Sequence, residues 1–266
     1  MDESHSHLSL FIEEKEFCMI HFSLRRLPLA LALAGAGLLA SAAHAHGTWL
    51  AHIHGQSTVM YGHDGADTDA YDPAKVIDAR AHKNGNAVEA KVVPHEQRYA
   101  TLEADKPGVL GYTLRSGFWH KGADGKWHNQ PRSAAADPAK VEKALLGVMY
   151  SVSYQNAREP VKALGYALEI VPAVNPAKLE EGDKLSVQVL YEGKPLAGAK
   201  VSVDFFDHDA DQVTTDAEGR AELKVAREGF NVLAVEHSVA HSNKSEADTV
   251  NMMASLSFES KHDHDH

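Results

Sequence analysis

The chain has 266 residues, of which 44% are hydrophobic and 24% charged, ordinary proportions for a globular protein with a real core. A net charge of −11 argues against nucleic acid or anionic membranes as partners and is compatible with attracting cations. The lone cysteine, Cys18, rules out an internal disulfide framework, whereas 18 histidines are an unusual number and set the question of function.

The N-terminal segment is explained without any fold. Arg25 and Arg26 precede an apolar run over 27–43, dominated by Leu and Ala, which ends in Ala43-His44-Ala45, the A-x-A pattern of a signal-peptidase site. A membrane helix needs roughly 20 apolar residues, so this shorter run reads as a signal peptide over 1–45. Glu13, Glu14 and Glu16 lie ahead of the basic pair, and a start at Met19 gives a conventional signal, so residues 1–18 read as a mis-called start. Cleavage after Ala45 leaves a soluble periplasmic chain that begins at His46 and keeps 14 histidines and no cysteine. Cleavage after Ala43 also meets the small-residue rule and moves His46 off the terminus.

Past the signal, short strand-like runs alternate with turns. Segments 48–54 and 57–61 read as strands around Gly55, followed by 75–81, 87–93, 99–102 and 109–114, punctuated by Asn84-Gly85-Asn86, Pro94 and Lys106-Pro107-Gly108. Segment 117–131 holds Phe118, Trp119, Trp127, His120 and His128 around Ala123-Asp124-Gly125 and reads as an aromatic hairpin or covering loop. One short helix is expected over 137–148, with Asp137 as N-cap, Pro138 at the first helical position, and Val141, Leu145 and Val148 on one face. Segment 150–165 carries no clear pattern. After a boundary near 172–176, strands are expected over 184–191, 201–205, 221–225, 231–237 and 254–258, with turns at 193–200 and 215–220. The expectation is an all-β protein of two β-sandwich domains: 46–172, and an immunoglobulin- or prealbumin-like 173–260, ending in a His/Asp tail at 261–266.

Several runs carry a resemblance. They are His46-Gly47-Thr48-Trp49-Leu50, Gly55 after His54, Tyr61-Gly62-His63, Tyr71-Asp72-Pro73-Ala74-Lys75-Val76, Gly117-Phe118-Trp119 and Leu168-Glu169-Ile170-Val171-Pro172. Further along come the 193–201 stretch, 215–220, 231–237 and Leu256-Ser257-Phe258. Together they resemble the NikM-type family of secreted proteins, a domain of unknown function whose members are often described as periplasmic components of nickel or cobalt uptake. The resemblance spans nearly the whole processed chain. It implies a β-sandwich fold, a divalent metal as cargo, a membrane metal transporter as partner, and recurrent histidines at His46, His54, His63 and His237.

The residues themselves support a metal reading in different degrees. Neutral imidazole is the commonest side-chain ligand for Ni, Co, Cu and Zn, and a chain without cysteine must use nitrogen and oxygen donors. If His46 is the new N-terminus, its α-amine and ring Nδ1 can chelate one ion together, an amine of this kind titrating near 8. The plain alternative is a solvated, frayed terminus. His52 and His54, two apart on a strand, face one side, and His63 is expected beside His54 across a hairpin. His237 ends a strand of the second sandwich, which places a shared site between the sandwiches; a core or capping role is the alternative. His120 and His128 flank the aromatic segment as a lid or as surface, His241 is an alternate to His237, and His82, His95 and His208 read as surface residues. The tail His262-Asp263-His264-Asp265-His266 reads as a loose scavenging arm or a solubilising end.

No G-x-S-x-G elbow, H-E-x-x-H helix, phosphate loop or dinucleotide fingerprint appears. The leading expectation is therefore a nickel- or cobalt-binding protein, copper and zinc being possible, that uses His46, His54, His63 and His237, with His52 and His120 as outer candidates. Two rivals stand beside it: a copper enzyme built on the N-terminal histidine chelate, with Trp49, Trp119 and Trp127 as a substrate platform, and a structural or carbohydrate-facing sandwich with no metal.

Overall fold

The computed structural model describes residues 46–63, 68–207 and 209–261. The expected signal peptide, His208 and the His/Asp run at 262–266 lie outside the described residues. No helix among the described residues is long and apolar enough to cross a membrane.

The protein is all-β. In chain order the strands are β1 (Gly47–Ile53), β2 (Gln56–Gly62), β3 (Val76–Lys83), β4 (Asn86–Val88), β5 (Ala90–His95), β6 (Tyr99–Ala104), β7 (Val109–Lys121), β8 (Trp127–His128) and β9 (Lys143–Tyr154). They continue with β10 (Leu168–Pro172), β11 (Lys184–Tyr191), β12 (Lys194–Pro195), β13 (Lys200–Ser202), β14 (Gln212–Thr214), β15 (Arg220–Lys224), β16 (Phe230–Ala240) and β17 (Thr249–Glu259).

The helix expected over 137–148 does not form. A three-residue 3-10 turn, Pro138–Lys140, is all that remains of it, and the rest becomes β9. The cause is position. β9 lies mid-sheet between β17, its parallel partner, and β7, its antiparallel one, and both of its faces are covered. A strand buried on both faces reads as a continuous apolar run rather than an alternation, so Val141, Leu145 and Val148 fall at helical spacing by coincidence. Gly147 is suited to the strand as well, since a Cβ there would run into the Ser116 hydroxyl at the β7 bulge.

One long central sheet, ordered β14-β13-β16-β17-β9-β7-β3-β4 with β8 paired to β7, carries the fold. Two smaller sheets complete the layers: β1-β2-β6-β5, and β10-β11-β12 with β15 also paired to β11. Two apolar cores result. One gathers Leu168, Ile170, Leu185, Val187 and Leu223 with Val152, Leu233 and Phe258. The other gathers Leu50, Val59, Ala100 and Leu102 with Leu110, Tyr112, Met149, Ala234 and Met253. Residues from both sides of position 172 enter each core, because β16 and β17 lie in the same sheet as β7 and β9.

Strand β1 is the edge of its sheet, and its free carbonyls are turned inward. Ser255 donates to the Thr48 carbonyl at 2.7 Å and Ser257 to the Leu50 carbonyl at 3.0 Å, which explains two fully buried serines in β17. Thr48 donates to the Met60 carbonyl at 2.7 Å and meets the Tyr112 hydroxyl at 2.6 Å. Trp49, 2% exposed, packs against Phe205 and Phe206 from the loop after β13. The start of β1 is thereby fixed in place.

Candidate metal centre

The hairpin arithmetic of β1 and β2 decides which histidines meet. Ile53 faces Gln56 across a two-residue turn of His54 and Gly55, both with positive φ (49° and 79°), the geometry of the tight hairpin turns that match strand twist. Counting back along the ladder, Gly47 faces Gly62. His46 and His63, the next residues outward, therefore stand opposite each other. Their ring centroids are 4.0 Å apart at 45°.

Two further residues complete the cluster. His46 stacks on the Tyr61 ring, centroids 5.0 Å apart and planes within 15°. Its Nε2 donates to Asp69 Oδ2 at 2.7 Å. Asp69 is brought back by a short return of the chain, its amide bonding the Tyr61 carbonyl at 2.8 Å beside the Gly62–Thr68 bridge. Burial, reinforced by the Asp69 carboxylate, pushes the Tyr61 hydroxyl up to about 12, so it stays a neutral phenol and serves as a stacking surface rather than an anionic ligand.

Gly47 sets the approach of His46. A Cβ at this position would run into the Phe205 ring and the end of Met253, so the chain comes close to the core only because glycine occupies it. With Nε2 committed to a carboxylate, a neutral His46 keeps its lone pair on Nδ1, the nitrogen nearest its own main chain. The Asp69 contact fixes both the tautomer of a neutral His46 and its ring orientation.

The other expected ligands lie elsewhere. His54 forms the far turn of the hairpin, exposed, and at about 3.3 Å per residue it is roughly 25 Å along the strand from His46. The expected pairing of His54 with His63 is thus replaced by His46 with His63. His52 is exposed on β1 and lines a cleft of about 1040 Å³ at that distal end. His237, half-buried on β16, packs against Tyr191 with centroids 4.7 Å apart. His120 is buried on β7, its Nδ1 donating to the Gln130 carbonyl at 3.0 Å and its ring stacked on His128. His241 packs edge-on against Phe118.

Two histidines expected at the surface are placed otherwise. His82 is 8% exposed, with no hydrogen-bond partner for its Nδ1. His95 is half-buried, stacked on Tyr99 and bonded to Thr101 at 2.9 Å. Tyr61 and Asp69 were not singled out as site residues in the sequence, although the hairpin register reaches Tyr61 directly. Among the described residues no three His, Cys, Asp or Glu side chains stand ready as a metal cage. The His46–His63–Asp69 cluster brings together two imidazoles and an orienting carboxylate, and a metal held there would need further donors from the main chain or solvent.

The Tyr71-Asp72-Pro73 run proves structural. The Tyr71 hydroxyl donates to the Val59 carbonyl at 2.9 Å and accepts from the Ala100 amide at 2.9 Å, splicing β2 to β6, while Asp72 caps the turn that follows.

A family model described as a domain of unknown function, DUF4198, matches residues 41–239. A protein of Haemophilus influenzae, described as an uncharacterized protein, is 25% identical over 232 residues, covering 83% of this chain and 93% of its own length.

Proposed function

The chain belongs to the DUF4198 family, and from that premise we propose that it is an exported periplasmic protein that captures a divalent transition metal, nickel or cobalt, as cargo for a membrane uptake system. The observation that carries this reading is the convergence of His46 and His63, rings 4.0 Å apart, with Asp69 holding His46 Nε2. Cleavage after Ala45 turns the His46 nitrogen from an amide into an amine. The amine and the Nδ1 that the Asp69 contact leaves bare then form one chelate, and His63 adds a third nitrogen. The precursor lacks the amine, so signal removal creates the affinity. The half-exposed rings leave room for exchange of the ion with a partner.

The resemblance of 46–50, 61–63 and 231–237 to NikM-type proteins supports nickel or cobalt. The donor set by itself favours copper at least as strongly, since affinity at nitrogen ligands rises to Cu(II) along the divalent series.

The test is intact mass and metal titration of protein exported on its own signal, beside protein made with one extra residue ahead of His46. The reading expects a chain starting at His46 that binds about one nickel or cobalt ion, and a loss of about tenfold or more in affinity for the extended chain. Equal affinity of the two chains removes the amine from the site. Binding of copper alone, with nickel and cobalt ignored, transfers the site to the copper reading.

A further inference from the structure

We propose that the projecting end of the central sheet, with the β7–β8 hairpin at its tip, is a docking element for an anionic phospholipid bilayer surface. The strand register shows how far this sheet outruns the layer above it. Leu114, Met149 and Met253 face one another across β7, β9 and β17 and form the last row that enters the core beneath β1, with Met253 lying under Gly47. Two rows further out on the same face come Trp119, Leu145 and Thr249, then Lys121 and Lys143, with Trp127 opposite Lys121 across the ribbon. The opposite face carries Phe118, Leu146, Val250 and Val239 in one row. Phe118, Trp119, Leu145, Leu146, Val239 and Val250 are all half-buried, and Trp127 is 44% exposed.

Apolar side chains on both faces select the occupant. A protein surface laid against a sheet meets one face, whereas a headgroup layer surrounds whatever enters it, and indole is a side chain that favours this layer. Charge points the same way. The chain as a whole stands at −11, which disfavours an anionic surface, but segment 115–145 holds six Arg and Lys against three acids. Each of those acids is taken up by a neighbour: Asp124 lies 3.3 Å from His128, Asp137 3.0 Å from Lys140 and Glu142 2.8 Å from Lys121. Asp248, in the β16–β17 connection with Lys244 and Glu246, pairs with Arg132 at 2.6 Å. Lys126 and Lys143 at the tip, and Arg115 at the β7 bulge, are exposed and have no acidic partner among the described residues. Each such cation near an anionic bilayer raises affinity roughly fivefold. Met253, under Gly47, is four residues or roughly 13 Å of strand from Thr249 in the Trp119 row, so docking holds the His46 end within reach of a transporter embedded in the same bilayer. In this the inference rests on the reading of an exported metal carrier, although no metal takes part in the docking.

The test mixes the whole processed chain, without metal, with vesicles of phosphatidylethanolamine and phosphatidylglycerol or of phosphatidylcholine alone. Co-sedimentation should show binding to the anionic vesicles, and its loss on neutral ones and in about 0.5 M salt. Lys126→Glu combined with Lys143→Glu should lower affinity about tenfold or more, and Trp127→Ala should lower it as well. With brominated acyl chains the indole emission should be quenched, and Trp127→Phe should remove most of that quenching. All three side chains are exposed, so the variants should melt with the parent. Binding that is equal on neutral vesicles, that ignores the charge reversal, or that leaves the indoles unquenched overturns the proposal. Absence of binding overturns it too and returns this end of the sheet to a protein partner. Metal titration of the same variants reads the His46 site separately, so either reading can fail while the other stands.

Discussion

A single missing methyl group governs the His46 site. Gly47→Ala places a Cβ against the half-buried Phe205 ring, which packs beside Trp49 and Phe206 and would have to be displaced. The expected cost is about 1–3 kcal/mol, as for other overpacked positions. A thermal melt reads this loss, and metal titration should weaken in parallel as His46 is pushed off Tyr61. His82 gives a second residue-scale expectation. Burial, and after it the Lys162 ammonium, hold its imidazole below the ordinary 6.5 against an opposing pull from Glu159. The unfolded chain then takes up a proton that the fold refuses, so the stability is intact above about pH 6.5 and declines as the pH falls below it. Urea unfolding from pH 7.5 to 5 should show this slope, and His82→Gln should flatten it. A slope unaltered by the substitution would assign the acid sensitivity to other groups.

At the scale of elements, the seating of β1 matters most, since it positions everything at the His46 end. Ser255→Ala strips the buried Thr48 carbonyl of its 2.7 Å donor, and an unsatisfied buried acceptor costs about 1–3 kcal/mol. Denaturant midpoints for Ser255→Ala and Ser257→Ala should both fall, and protection of β1 amides from hydrogen exchange should fall with them. Most strands were legible in the sequence because one face alternates, as in β11 and β15, or because a glycine-bearing turn brackets them. The segment that became β9 was not, because full burial erases the alternation that separates strand from helix. The candidate site was half legible. His46 and His63 were both named, yet their pairing required the His54-Gly55 turn to be used as a register mark, which fixes every partner along β1 and β2. Asp69 has no such signal. It arrives through a return of the chain that no periodicity announces.

At the scale of the whole molecule, the central sheet ties the halves together. Residues 233–235 and 252–258 supply part of each core, so a fragment ending at 172 should remain unfolded. The intact chain should unfold in one transition seen alike by Trp fluorescence and far-ultraviolet circular dichroism. Two separated transitions would instead make each sandwich a self-sufficient unit. The family match ends at residue 239, inside β16, whereas the sheet needs β17 as its middle strand. That placement has a consequence in time. The strand on which β1, β9 and β16 all lean is the last of the described strands in chain order, and it closes contacts with residues 207 positions earlier. A growing chain therefore has no floor on which to lay its first hairpin. Until β17 is made, the first hairpin lacks the strand that satisfies its inward carbonyls, and its seating waits on contacts of long sequence separation.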